Sequence, residues 1–160
     1  MTGEKALHEH LVQLLRWDSA HQSSDAIIAN FPAKLRGIRS EGLPYTAWQL
    51  LEHLRIAQRD ILEFCRKPDH VSPEFPDGYW PESSVPPDAE AWDRSVDGFR
   101  SDLKAMQDLV SDPSTDLFRP IAHGDGQTIL REALLVADHN SYHLGQLMAV
   151  RRLLGAWLAN

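Results

Sequence analysis

The sequence predicts an all-α protein, a four-helix bundle with long connecting loops. Three observations lead there. Four segments repeat apolar residues at spacings of three and four, the period of a helix with one buried stripe. No segment alternates apolar and polar residues as a half-buried strand would. The breaks between the four segments are rich in proline and glycine, and no internal repeat is present. A chain of 160 residues is read as a single domain, 1–160, long enough to bury a real core and short for two.

In the first segment Leu7, Leu11, Leu14 and Leu15 are separated by Lys5, Glu9, Gln13 and Arg16, which predicts an amphipathic helix over roughly residues 3–20. Residues 22–45 contain Ser23, Ser24, Pro32, Gly37, Gly42 and Pro44 and read as a connection with one helical turn at 25–30. A link of that length is expected to serve the bundle, here by covering one of its mouths. The second long helix is expected over 46–66. Thr46 followed by Gln49 is a capping-box pattern, and Pro68 stops the helix. Leu50, Leu54, Ala57, Ile61 and Phe64 form its stripe, and His53 borders that stripe, so its imidazole is expected to point inward.

Residues 67–87 carry Pro68, Pro73, Pro76, Pro81, Pro86 and Pro87, a stiff loop in which Tyr79-Trp80-Pro81 is expected to staple the loop to the bundle. Trp92, Val96, Phe99, Leu103 and Met106, with Leu109 or Val110, mark a third helix over 88–111 that has no histidine or cysteine and serves the core. A second loop over 112–127 holds His123 beside Gly124 and Gly126. The fourth helix spans 128–154, with Gly155 placed to end it.

Composition excludes several partners. With 23 acidic against 16 basic residues the formal charge is -7, which argues against nucleic acid and against anionic membrane surfaces. The polar start Met1-Thr2-Gly3-Glu4-Lys5 and the lack of a spanning apolar run suit a cytoplasmic protein. The single cysteine, Cys65, has no partner for an internal disulfide, and its apolar surroundings suggest a buried, inert thiol.

The chemistry is concentrated in Asp138-His139-Asn140-Ser141-Tyr142-His143-Leu144-Gly145-Gln146. Histidines four apart on a helix lie about 40° apart around its axis and about 6 Å apart along it, so His139 and His143 can reach one ion. A metal such as zinc takes at least three protein ligands, and the inward-facing His53 supplies a third. A three-histidine site leaves one position for water or substrate, the arrangement of catalytic metal sites. Each imidazole must be neutral to bind, so acid is expected to release the metal below about pH 6. Gln49, Asp60 and Glu132 lie one or two helical turns from the histidines and are the weaker catalytic candidates, with salt bridges or rim charges as their plainer roles. His123 is a rival ligand or a substrate contact. His8 and His10, two apart, face different sides of their helix. Glu-x-x-His, His-Glu-x-x-His and Gly-x-Ser-x-Gly are absent, which removes the carboxylate-bridged di-iron, zinc-protease and simple esterase motifs.

A histidine in Trp48-Gln49-Leu50-Leu51-Glu52-His53-Leu54, followed far downstream by His139-x-x-x-His143-x-Gly145-Gln146, resembles the DinB-like superfamily of bacterial four-helix-bundle metalloproteins. The resemblance implies that His53, His139 and His143 bind a divalent metal, zinc, nickel or iron. Relatives include transferases that join low-molecular-weight thiols to electrophiles and thiol-dependent isomerases. It therefore implies a metal-dependent thiol S-transferase or related enzyme acting on a small molecule, with such a thiol as cosubstrate. The alternatives are a metal-assisted hydrolase and a non-catalytic metal-containing bundle that binds a small ligand, closed by His123 or Glu132 as a fourth ligand. Homodimers are common among such relatives and one is expected here. Gly145, costing about 1 kcal/mol against alanine inside a helix, is expected where another helix approaches closely beside His143.

Overall fold

A computed structural model describes residues 3–16 and 20–157. Its helices are α1 (Gly3–Arg16), a short α2 (Ser24–Ile28), α3 (Ala47–Arg66), α4 (Ala91–Ser111) and α5 (Ile129–Leu153). The described residues contain no strand, only isolated bridges joining Arg39 to Thr46 and Pro120 to Thr128. The fold is all-α, as the periodicity predicts. The end of the first helix beyond Arg16 falls on residues 17–19, outside the described ones.

The four long helices pack as a ring in which α3 contacts α4 and α5, and α1 closes the ring against the same two. Leu11 and Leu15 of α1, Leu50, Leu51 and Leu54 of α3, Phe99 and Met106 of α4, and Val136 and Leu147 of α5 share one apolar core. On α3 the stripe rotates slightly toward the C-terminus, so that Leu62 is fully buried while Ile61 and Phe64 are only half-buried. None of the described helices is long and apolar enough to cross a membrane.

Local signals account for the helix ends. Thr46 and Gln49 form the capping box in full, the Thr46 hydroxyl accepting from the Gln49 N–H at 3.2 Å and Gln49 Oε1 from the Thr46 N–H at 3.1 Å. Thr128 caps α5 by accepting from the Arg131 N–H. Past α5, Gly155 takes φ +66°, a left-handed conformation open to glycine at no steric cost. The 22–45 connection contributes to the core. Ile27, Ile28 and Phe31 enter the core, and the buried Arg151 of α5 donates to the carbonyls of Ala26, Ile27 and Ala29. These bonds tie α2 to α5 and occupy carbonyls that a short helix leaves open.

One expectation fails. Among the described residues nothing lies within 4 Å of the position a Cβ would take on Gly145, which is exposed, so no second described helix approaches there.

The register between α3 and α5 is fixed by a buried amide pair. Gln58, fully buried, donates from Nε2 to the Phe99 carbonyl at 2.7 Å and accepts at Oε1 from Asn140 Nδ2 at 2.7 Å. A slip of α5 along α3 would strand these amides without water. The pair thus holds the alignment that sets His53 opposite His139 and His143. Gln58→Ala removes the link and leaves a cavity; urea unfolding should show a loss of about 2–4 kcal/mol, and a loss under about 0.5 kcal/mol, the level of an ordinary surface change, contradicts the assignment.

Candidate metal centre

His53 projects from the middle of α3, and His139 and His143 project from successive turns of α5. His53 and His143 are buried and His139 is half-buried. Their ligand atoms lie within 4.8 Å of one another, and among the described residues this is the cluster of three or more metal-ligating side chains that forms. Nε2 of His53 stands 3.0 Å from Nε2 of His139 and 3.1 Å from Nε2 of His143. Ligands at about 2.0–2.1 Å around a tetrahedral ion stand about 3.3 Å apart, so small shifts suffice to seat one.

The outer nitrogens explain why the inner ones converge. His53 Nδ1 lies 2.8 Å from the Tyr79 carbonyl oxygen, which can only accept, so Nδ1 carries the proton and donates. His143 Nδ1 donates likewise to Gln146 Oε1 at 2.8 Å. In their neutral forms both rings then turn a lone pair inward. Two lone pairs at 3.1 Å cannot form a hydrogen bond; a cation between them makes the arrangement favourable. A proton is disfavoured in that role. Burial is the main cause that lowers His53 to about 4, with the Tyr79 carbonyl opposing and His143 adding to the effect. Burial and then the charges of His143 and His53 lower His139 to about 4, and burial lowers His143. The donor set therefore fits a divalent metal. His139 has no such outer anchor: its Nδ1 and the neighbouring Asn140 Oδ1 are both buried without a hydrogen bond of good geometry, although Asn140 is near enough to favour the charged ring.

The wall around the cluster is aromatic. Trp80 stacks flat on His53, with centroids 3.8 Å apart and an interplanar angle of 0°, and Tyr45 stacks in turn against Trp80 at 4.1 Å. Tyr142, largely exposed, meets His143 edge-on. The sequence marks Tyr79-Trp80 as a loop staple; the structure shows that what the loop staples is His53 itself. Sequence reasoning assigned Gln146 no such role, although its place three residues after His143, one turn along the same face, is the spacing of a hydrogen-bond partner.

The other candidates sit elsewhere. Gln49 is engaged in the capping box. Asp60 accepts from the Tyr79 hydroxyl and pairs with His70 Nε2, each at 2.7 Å. Glu132 is buried and paired with Arg131 at 2.7 Å. Asp60 and Glu132 do share the lining of a cavity of about 210 Å³ with Ile61, Phe64, Ser72, Gln127, Arg131 and Leu135, along the same α3–α5 seam. His123 bonds the Phe64 carbonyl at 2.7 Å and stays outside the cluster. Cys65 is pushed up to about 12, mainly by burial and then by Glu132, which leaves it a thiol at neutral pH.

The profile of the DinB superfamily matches residues 16–147. Searches of curated proteins and of solved structures gave no match. The matched span includes all three histidines and their outer partners Tyr79 and Gln146.

Burial sets the direction of the pH response. His53 falls from the ordinary 6.5 to about 4 in the folded chain, so between those values the unfolded chain binds more protons than the folded one. Stability of the metal-free protein is therefore fully present above pH 6.5 and is lost as pH falls toward 4. The same lowering shifts proton competition for the metal below the value of about pH 6 expected of a free imidazole. Thermal melts of metal-free protein at stepped pH should show this decline, and His53→Gln and His139→Gln should each flatten it. Equal slopes in wild type and both variants contradict the assigned shifts.

Proposed function

The chain belongs to the DinB superfamily, and on that premise we propose that it is a divalent-metal-dependent enzyme, a thiol S-transferase acting on a small electrophilic molecule. The observation that carries this reading is a cluster of three neutral imidazoles with no carboxylate among them. His53, His139 and His143 would hold the ion through Nε2, with zinc, nickel and iron all compatible with imidazole donors. A divalent cation so bound keeps its full charge and lowers the pKa of a thiol or water that shares it.

The surrounding residues have separate work. Tyr79 and Gln146 orient two of the imidazoles. Trp80 and Tyr45 present stacked rings that exclude water from one side of the cluster and strengthen electrostatic contacts within it. Tyr142 leaves an aromatic face at the solvent side, suited to an apolar portion of the electrophile. In the transfer the thiol sulfur forms a bond to an electrophilic carbon, the leaving group departs with the bonding pair, and the thiol proton passes to solvent. None of these steps needs a carboxylate base at the ion. Hydrolysis is the second reading, and it is favoured less because Asp60 and Glu132 already have partners away from the histidines.

The catalytic reading separates from a structural-metal reading by folding. The apolar stripes of four helices do not depend on the histidines, so His53→Gln, His139→Gln and His143→Gln should each abolish consumption of thiol with an electrophile while the protein stays folded at room temperature. Thiol loss is followed with a chromogenic thiol reagent and folding by circular dichroism. A chelated wild type that is unfolded at room temperature makes the metal structural, and a folded, metal-loaded wild type that consumes no thiol removes the transferase assignment.

A further inference from the structure

Asp60 lies seven residues after His53 on α3, about 10 Å along the axis and within about 20° around it. The residue that spans this interval is Tyr79. Its backbone carbonyl accepts from His53 Nδ1 at 2.8 Å, and its hydroxyl donates to Asp60 Oδ2 at 2.7 Å. The tyrosine thus lies along α3, bonded at one end to the imidazole and at the other to the carboxylate. The other carboxylate oxygen, Oδ1, pairs with His70 Nε2 at 2.7 Å, fastening the start of the same loop. Asp60 is only slightly exposed, so these bonds face little competition from water. The next residue, Trp80, stacks flat on the His53 ring. One dipeptide, Tyr79-Trp80, therefore grips the imidazole at its edge and on its face, and Asp60 is where that dipeptide is anchored back onto the helix that carries His53.

We propose that Asp60 is a positioning residue for the metal centre, which acts through Tyr79 to hold His53 in the tautomer and ring orientation that turn Nε2 toward His139 and His143. Without the anchor, the Tyr79 carbonyl leaves Nδ1, the imidazole proton is free to move to Nε2, and the inward lone pair is lost. The role is distinct from general base catalysis, because Asp60 is bonded away from the cluster. It also differs from an ordinary loop contact, because what it controls is the protonation site of one ring.

The inference rests on the reading of the three histidines as a metal site, and its test has one arm that needs no metal. Asp60→Ala and Tyr79→Phe each cut the same link, and Asp60→Asn keeps an acceptor for the phenol. Zinc affinity, measured by competition with a chromogenic chelator, should fall about tenfold or more in both disruptive variants, the usual range for losing a ligand's outer partner. The double variant should lose little beyond either single one, and Asp60→Asn should recover most of the loss. Nitrogen-15 spectra of the metal-free protein should show His53 as a single Nδ1–H tautomer in wild type and as a mixture in Asp60→Ala and Tyr79→Phe. A single His53 tautomer retained in both folded variants, or zinc affinity within about twofold of a zinc-binding wild type, overturns the proposal. A wild type that binds no zinc instead removes the metal reading, and the tautomer arm still decides the role of Asp60. Should Asp60→Ala fail to fold, Tyr79→Phe, which deletes one oxygen, carries both arms.

Discussion

Two imidazole nitrogens that both offer lone pairs do not belong 3.1 Å apart in a protein interior, and His53 and His143 are held in that relation from outside. The Tyr79 carbonyl and the Gln146 side chain each take the outer proton of one ring. The Gln58–Asn140 pair keeps α5 from sliding along α3. Leu50, Leu54, Val136 and Leu147, buried in the core shared by the four helices, fix the backbones of α3 and α5 that carry the histidines. The outer bonds turn the lone pairs of His53 and His143 toward each other, a relation that a cation between them would relieve and that burial makes unfavourable for a proton.

The proline-rich loop has the least expected part in this arrangement. Loops of such length usually carry specificity or act as covers, and this one supplies the orienting carbonyl and the stacking ring for a histidine that resides on a helix. It is tied down at several places: Asp60 holds Tyr79 and His70, the Thr46 hydroxyl donates to the Ser84 carbonyl at 2.7 Å, and Tyr45 stacks on Trp80. Tyr45 and Thr46 directly precede α3, so the loop is anchored at the helix start and near its far end. His53, on the helix between those anchors, is consequently held by a loop fastened on both sides of it. His139 is the half-buried member of the three, and its Nδ1 is buried without a hydrogen bond of good geometry among the described residues.

Periodicity made the bundle legible, since stripes such as Leu50–Leu54–Ala57 or Trp92–Val96–Phe99 have one helical reading. The capping box at Thr46 was equally plain, because its two hydrogen bonds are local. The histidine cluster was legible because the spacing of His139 and His143 is itself a geometric statement, and the inward face of α3 named His53. What could not be read were contacts between segments distant in sequence. Nothing local says that the Tyr79 carbonyl meets a ring twenty-six residues earlier, or that Asn140 reaches Gln58 from α5. Ile27, Ile28 and Phe31 had the right spacing for a core turn, but the surrounding serine, proline and glycine outweighed it. Gly145 misled for a related reason: a glycine's cost in a helix is local, whereas its cause lies in what approaches it, and none of the described residues does.

The central claim is that three imidazoles, and no other protein group, hold one ion per chain. X-ray absorption at the metal edge, on untagged protein loaded with one equivalent of zinc, counts and identifies the ligands directly. The account predicts three imidazole nitrogens at about 2.0–2.1 Å and a remaining light-atom donor from solvent that a small thiol replaces with sulfur at about 2.3 Å. A fourth protein ligand that added thiol does not displace, or a shell dominated by carboxylate oxygen, would contradict it.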